Sequence, residues 1–299
     1  MRVLVSGATG IVGRFVVEHL LAQGHEVVAG VRDVTTALPF SQPVETTLLS
    51  LDPTAPLPAF DGCDAFVHAA FQHVPGRYRG GEGDDPDGFR RANVGGSLRL
   101  FEAAKQAGAR RCVFLSSRAV YGRQPAGVIL SEDMEPAPES LYGIVKWEAE
   151  QALAALDTAD FITASLRSTG VYGLLPGLPH KWETLARDYL AGRPVEDRVG
   201  TEVHGDDLAA AVLLLLTADA ALVGNRAFNA SDLLTSHHDI LSELQQATAC
   251  IYPLPEPLDK SLFSRMDTAR LRSLGWYPGG NARFRADIAA LAERLTSDL

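Results

Sequence analysis

Three side chains in this sequence have the types and spacing for proton transfer at an oxygen: Ser117, Tyr142 and Lys146. A phenol titrates near ~10 in water, too high for a base at neutral pH. A fixed positive charge within ~4–6 Å favours the phenolate and lowers that value by about 1–3. Tyr142 and Lys146 are four residues apart, so on a helix they share one face, one turn apart, and the ammonium can act on the phenol. Such a tyrosine exchanges a proton with an alcohol or carbonyl oxygen, which Ser117 can hold by a hydrogen bond. A Tyr and a Lys at this spacing also occur on ordinary surface helices, so the assignment depends on what surrounds them.

The surroundings are those of an α/β protein. Residues 111–116, with Cys112, Val113, Phe114 and Leu115 in one apolar run, read as a parallel strand covered on both faces. That strand delivers Ser116 and Ser117 at its C-terminal end, where the ligand crevice of an open parallel sheet lies. Tyr142 stands at the start of a helix running to Leu156. At the beginning of the chain, residues 3–5 form an apolar strand followed by Gly7, Gly10 and Gly13, three apart. Gly7 permits a tight turn, Gly10 lets backbone N–H groups approach a pyrophosphate, and Gly13 lets a helix at 14–23 pack close to the strand. With Thr9, Ile11 and Val12 they make a phosphate-binding turn at a positive helix end. A second strand at 25–31 completes a βαβ start whose expected ligand is a dinucleotide.

Two opposite charges follow that second strand. A carboxylate roughly 20 residues beyond the glycines would bond the ribose 2′-OH of NAD, and Asp33 stands there. Arg32 would instead pair a 2′-phosphate. Arg32 comes first in the loop, which favours NADP, with NAD as the alternative. A third strand at 44–51 and a fourth at 64–70 come next. Ala69 and Ala70 are small enough for a cofactor to lie against the backbone. His68 is read as part of the cofactor wall, the alternative being a packed neutral ring. Residues 73–88, with Pro75, Arg77 and Arg79 among glycines and acids, read as a solvated insertion or a flap over the site. Asn93 opens a helix ended by Gly108.

Composition bounds the function. Of the 299 residues, 46% are hydrophobic and 21% charged, as in soluble globular proteins. A net charge of −10 with no basic stripe excludes a nucleic-acid binder. Cys63, Cys112 and Cys250 are scattered, indicating neither a disulfide framework nor a zinc site. His237 and His238 are adjacent and point to different faces, so no metal is expected. The longest apolar run, 208–217, is short of the roughly 20 residues of a membrane span. The first strand begins without a charged leader or cleavage site, which places the protein in the cytosol. In the second half, 182–190 reads as a helix of a substrate lobe, with His180, Lys181 and Trp182 as candidate lining. Asp206 and Asp207 read as N-cap and first-turn acid of the apolar helix 208–217. A short strand at 225–229 and helices at 236–247, 267–272 and 283–295 close the chain.

Taken together, these residues resemble the extended short-chain dehydrogenase/reductase family, the NAD(P)-dependent epimerase/dehydratase group. The resemblance runs nearly end to end: the three glycines, His68-Ala69-Ala70, Asn93-Val94, Ser116-Ser117 before Val120-Tyr121-Gly122, Tyr142 with Lys146, Leu166-Arg167 before Val171-Tyr172-Gly173, Val203-His204 and Leu274-Gly275-Trp276. It implies a Rossmann doubly wound parallel sheet at 1–170, rejoined by 203–230, and a smaller C-terminal substrate-binding lobe from 171–202 and 231–299. It also implies Ser117, Tyr142 and Lys146 as catalytic residues. Gly7, Thr9, Gly10, Ile11, Val12, Gly13, Arg32, Asp33, Ala69, Ala70, Asn93, Ser116, Tyr142 and Lys146 would meet the cofactor. A homodimer and a small-molecule substrate, a sugar or sugar nucleotide oxidised or reduced at a secondary alcohol or ketone carbon, complete the expectation. Arg118 and Ala119 stand where nucleotide-sugar dehydratases carry an acidic pair, so elimination of water is not expected. Gly170 and Gly200 stand where sugar-nucleotide epimerases usually carry Asn and Arg; Lys181, Arg198 or Arg283 would have to replace that charge. A non-sugar ketone reductase and a non-catalytic cofactor sensor are the alternatives.

Overall fold

The first apolar run is buried on both faces, and this decides the centre of the molecule. Val3 and Val5 join Val16, Val17 and Leu20 in one core, while Leu4 joins Phe66, Phe101 and Phe114 in another. A strand covered on both sides belongs in the middle of a parallel sheet. The computed structural model describes residues 1–35, 38–74, 77 and 80–297. Pro75 and Arg79, which the sequence assigned to a loop or flap, lie outside the described residues.

The strands in the first half are β1 (Arg2–Ser6), β2 (Glu26–Val31), β3 (Glu45–Leu48), β4 (Ala65–His68), β5 (Arg111–Ser117) and β6 (Ile129–Leu130). The second half supplies β7 (Ile162–Ser168), β8 (Gly170–Tyr172), β9 (Val199–His204), β10 (Arg226–Ala230), β11 (Leu233–Ser236) and β12 (Arg265–Met266). Helices α1 (Ile11–Ala22), α2 (Pro86–Arg90), α3 (Ser97–Gln106), α4 (Leu141–Ala154) and α5 (Glu183–Leu190) are followed by α6 (Gly205–Thr217), α7 (Ala220–Val223), α8 (His237–Thr248), α9 (Ala269–Ser273) and α10 (Gly280–Ser297).

Seven strands form one parallel sheet in the order β10-β7-β5-β4-β1-β2-β3. The chain leaves β1 toward one edge and returns through β4 toward the other, so the strand order reverses between β1 and β4. This is the doubly wound Rossmann arrangement, and the reversal opens the ligand crevice. Helices α1 and α6 pack together over one face. Beyond the sheet, β11, β9 and β8 form a small second sheet, and Tyr172, Trp182, Tyr189, Leu241, Phe284 and Ile288 build a separate core with α5, α8 and α10.

Three elements depart from the sequence reading. Helix α1 starts at Ile11 and not at Arg14, because Gly10 already has cap geometry. The helix expected from Asn93 begins earlier: Asp85 accepts from the Gly88 N–H at 2.8 Å and Pro86 occupies the first turn, so α2 forms within the stretch read as loop. Residues Arg91–Gly96 then widen into a π-helical turn before α3. A β-carbon on Gly96 would overlap the Leu51 carbonyl, so the glycine allows this turn to press onto the neighbouring chain. Finally, His204 and not Asp206 caps α6, its Nδ1 accepting from the Asp206 N–H at 3.1 Å.

Candidate active site

The glycine turn is built by steric exclusion. Gly7 has φ +64°, and a β-carbon there would come 2.7 Å from the Ala70 nitrogen. One on Gly13 would overlap the Gly7 carbonyl. The Gly10 N–H closes the turn onto that same carbonyl at 3.0 Å, and the first helical bond runs from the Arg14 N–H to the Gly10 carbonyl at 2.9 Å. No side chain caps α1, so the N–H groups of Ile11, Val12 and Gly13 face outward at a positive helix end. Ala69 and Ala70 lie directly against the turn. This uncapped cradle, with small residues on its flank, fits the pyrophosphate of a dinucleotide.

Behind it runs a hydrogen-bonded chain that the sequence did not show. Ser6 Oγ accepts from the Ala69 and Ala70 N–H groups, both at 3.1 Å, so its proton goes to His68 Nδ1 at 2.7 Å. His68 Nε2–H then donates to Ser97 Oγ at 2.9 Å, and Ser97 donates to the Asn93 carbonyl at 2.6 Å. Burial, helped by the Lys146 charge, lowers His68 to about 3, so the ring is neutral. It is 0% exposed, which corrects the reading of His68 as cofactor wall. The Asn93 amide bonds both main-chain groups of Gln72, at 2.8 and 2.9 Å, and the Phe89 carbonyl at 3.0 Å. Its side chain therefore positions the segment after Ala70 instead of facing the crevice.

At the C-terminal end of β5, Ser117 accepts from the Ala119 N–H at 3.2 Å and turns the chain into the short helical segment Arg118–Tyr121. That bond leaves its hydroxyl proton unused. Ser140 caps α4 through the Gly143 N–H at 3.2 Å. A β-carbon on Gly143 would stand 2.6 Å from the Ala119 oxygen, so this glycine lets the start of α4 press onto the turn after Ser117. Tyr142 is thereby brought beside the end of β5. One turn on, Lys146 is 5% exposed and donates to the Leu115 carbonyl at 2.7 Å. Its ammonium lies 4.5 Å from the Phe71 ring centroid and 4.7 Å from that of Phe114. Phe71 also packs edge-on to Tyr142 at 5.1 Å. Burial lowers Lys146 to about 7, against the opposing charge of Glu150.

Ser116, expected at the cofactor, turns inward and donates to Glu150. Glu150 receives Arg167 through Nε at 3.0 Å and Nη2 at 2.7 Å. Arg167 Nη1 reaches the Tyr121 hydroxyl at 3.0 Å, and Tyr121 donates to Asn229 Oδ1 at 2.8 Å. This buried network ties α4 to β5, β7 and β10, which holds Ser117 and Lys146 in one frame. Arg32 and Asp33 are both exposed at the end of β2, and the Asp33 carboxylate accepts from Thr35 N at 2.9 Å and Thr35 Oγ1 at 2.6 Å.

Of the residues expected to line a substrate lobe, two are core. His180 Nε2–H donates to Asp287 Oδ2 at 2.8 Å, its Nδ1 accepting from the Trp182 N–H, and Trp182 stacks on Tyr172 at 4.9 Å. Burial pushes Asp287 up, but hydrogen bonds from His180 and His204 hold it at about 2. Lys181 reaches outward and pairs with Glu202, a residue the sequence did not single out. Burial raises the Glu202 carboxyl, against the charges of Lys181, Arg198 and His237. Arg283 is bound to Asp206 at 2.7 Å and faces Asp207 at 3.4 Å. Among the described residues no group of three or more His, Cys, Asp or Glu side chains could hold a metal ion, and no helix is long and apolar enough to cross a membrane.

A doubly wound sheet, an uncapped glycine cradle at its switch point and a Ser-Tyr-Lys set at the end of β5 define a class: dinucleotide-dependent enzymes that move hydride at an alcohol or carbonyl carbon. The sequence model of the NAD dependent epimerase/dehydratase family matches residues 3–231, and the chain belongs to that family. The UDP-glucose 4-epimerase of Mycolicibacterium smegmatis is 32% identical, over 93% of this chain and 94% of its own. A 3-diazoavenalumate denitrifying reductase of a Streptomyces species is 32% identical over 74% of this chain and 73% of its own. The structure of MoeE5 in complex with UDP-glucose and NAD superposes with a TM-score of 0.78 at 27% identity, covering 99% of this chain and 100% of that one.

Proposed function

We propose that this enzyme is an NAD-dependent epimerase that removes hydride from a secondary alcohol carbon of a sugar-type substrate and returns it to the opposite face. The observation that carries this reading is the placement of Tyr142 and Lys146 on one face of α4, against the end of the strand that delivers Ser117. When bound, a nicotinamide dinucleotide supplies the hydride acceptor and donor. Ser117 holds the substrate oxygen, Tyr142 takes and gives back its proton, and Lys146 favours the phenolate once it is charged. Burial lowers Lys146 to about 7 in the protein alone, so its charge is held less firmly than that of an exposed lysine.

The NADP expectation gives way here to NAD. MoeE5, similar over the whole chain, holds NAD, and Asp33 supplies an acceptor at the loop where the adenosine ribose is expected. Arg32 keeps NADP as the competing choice. The C-terminal lobe, residues 171–202 and 231–299, is the proposed substrate-binding part, and a homodimer the proposed assembly, both to be read by native mass spectrometry with substrate present.

The test is a panel of hexoses and hexose-linked nucleotides, including UDP-glucose, incubated with NAD-loaded enzyme. Conversion of at least one to its epimer without net change in nicotinamide absorbance supports an epimerase. Steady consumption of added NAD or NADPH would instead make it a net oxidoreductase.

A further inference from the structure

The two glycines that replace larger residues in the resemblance flank one buried carboxylate. Gly170 in β8 pairs with Glu202 in β9, and Gly200 lies two residues before Glu202 on the same face of β9. A β-carbon on Gly170 would overlap both Lys181 Nζ and Glu202 Oε2, and one on Gly200 would come 3.2 Å from Glu202 Oε1. Neither glycine has a positive φ, so what they provide is room for the Lys181–Glu202 pair. The Glu202 side chain is 10% exposed and that of Lys181 33%: the carboxylate is nearly buried and the ammonium reaches solvent.

The place of this pair in the fold is close to the chemistry. Ser117 is paired with Ser168 across β5 and β7, and Gly170 follows two residues later, roughly 7 Å further along the chain at about 3.3 Å per residue. Between them Thr169 carries a buried hydroxyl with no hydrogen-bond partner among the described residues.

We propose that the Lys181–Glu202 pair is the element that recognises the substrate beyond its reacting carbon, and that it takes an uncharged group bearing adjacent hydroxyls in preference to a diphosphate. This rests on the reading above of the crevice as the site of a sugar-type substrate. Lys181 uses one hydrogen on Glu202 Oε2 and has others to give, while Glu202 Oε1 accepts no hydrogen bond from the described residues. The pair thus offers donors and an open acceptor side by side, with no net charge. A hydroxyl both donates and accepts, so two neighbouring hydroxyls satisfy both halves. Diphosphate oxygens only accept. They would meet an ammonium already neutralised by Glu202, next to a carboxylate oxygen that repels them. The other nearby cations do not change this balance: Arg283 is held by Asp206 and Asp207, and Arg198 is exposed, where solvent screens it.

The experiment measures UDP binding to NAD-loaded protein by calorimetry, with the substrate panel run alongside. The wild-type protein is expected to bind UDP no tighter than about 1 mM. Glu202→Gln, which frees the Lys181 charge, should tighten UDP by about tenfold or more and shift kcat/KM toward nucleotide-linked substrates, and adding Lys181→Met should remove that gain. Lys181→Met alone, which leaves the carboxylate unopposed, should bind UDP no tighter than wild type, which provides a second reading if Glu202→Gln does not fold. Micromolar UDP binding by the wild type, no tightening in folded Glu202→Gln, or tighter UDP binding in Lys181→Met would each overturn the proposal. An inactive panel would count against the epimerase reading, while the UDP titrations would still decide this one.

Discussion

Glu150 follows Lys146 by one turn of α4, yet its carboxylate binds Arg167 and Ser116 and not the lysine. Lys146 makes no ion pair among the described residues and rests on the Leu115 carbonyl and two aromatic faces. Its counter-charge is therefore partial, and burial dominates.

Lys146 makes the stability of the cofactor-free protein depend on pH. Its value falls from 10.5 to about 7 on folding, so between these limits the unfolded chain holds a proton that the folded one has lost. Stability therefore rises with pH across that window, by at most about 1.4 kcal/mol per pH unit. Melting temperatures measured from pH 7 to 10 should show this slope in wild type and a flatter one in Lys146→Met. An identical slope in both would remove Lys146 as its source.

The Glu150–Arg167 pair is buried and bidentate, so each partner compensates the other. Glu150→Gln or Arg167→Met alone should cost about 3–5 kcal/mol in denaturant unfolding, whereas Glu150→Leu with Arg167→Met should recover much of the loss. Additive losses in the double variant would show that the two residues act separately.

Gly13 has no room for a side chain against the Gly7 carbonyl. Gly13→Ala should destabilise the protein by about 1–3 kcal/mol through overpacking and weaken dinucleotide binding. Calorimetric titration with NAD reads the second effect; unchanged affinity would mean that the turn is not the pyrophosphate cradle.

The proposed reading places cofactor choice at Arg32 and Asp33. With NAD as resident cofactor, Asp33→Ala should weaken NAD about tenfold while Arg32→Ala leaves it nearly unchanged. A large loss of NADP affinity in Arg32→Ala, from a wild type that prefers NADP, would restore the phosphate reading of the sequence.

The parts legible in the sequence are those set by local pattern. The glycine spacing after an apolar strand located the cradle, and the four-residue spacing of Tyr142 and Lys146 located the helix face, since both depend on neighbours in the chain. Strand β7 escaped notice because Thr163, Ser165 and Arg167 interrupt its apolar character, and Arg167 is tolerated inside through Glu150 and Tyr121 from elsewhere in the chain. Ser116 faces inward because alternation along β5 sends it opposite to Ser117, a distinction that the paired serines do not reveal. Helix α2 was hidden among glycines and acids, although Asp85-Pro86 is a helix start. Glu202 in β9 and Lys181 in the turn before α5 meet only in the folded chain, and nothing in their separate surroundings announces the pair.

The role proposed for the Tyr142 phenol is to move the proton that accompanies hydride transfer. It is tested most directly by comparing Tyr142→Phe with wild type, each loaded with NAD, in a single-turnover assay on the panel member that reacts. The expected result is a rate lower by about 10²–10⁴-fold with NAD affinity unchanged. A Tyr142→Phe rate within about threefold of wild type would contradict the assignment and move the acid/base role to another group.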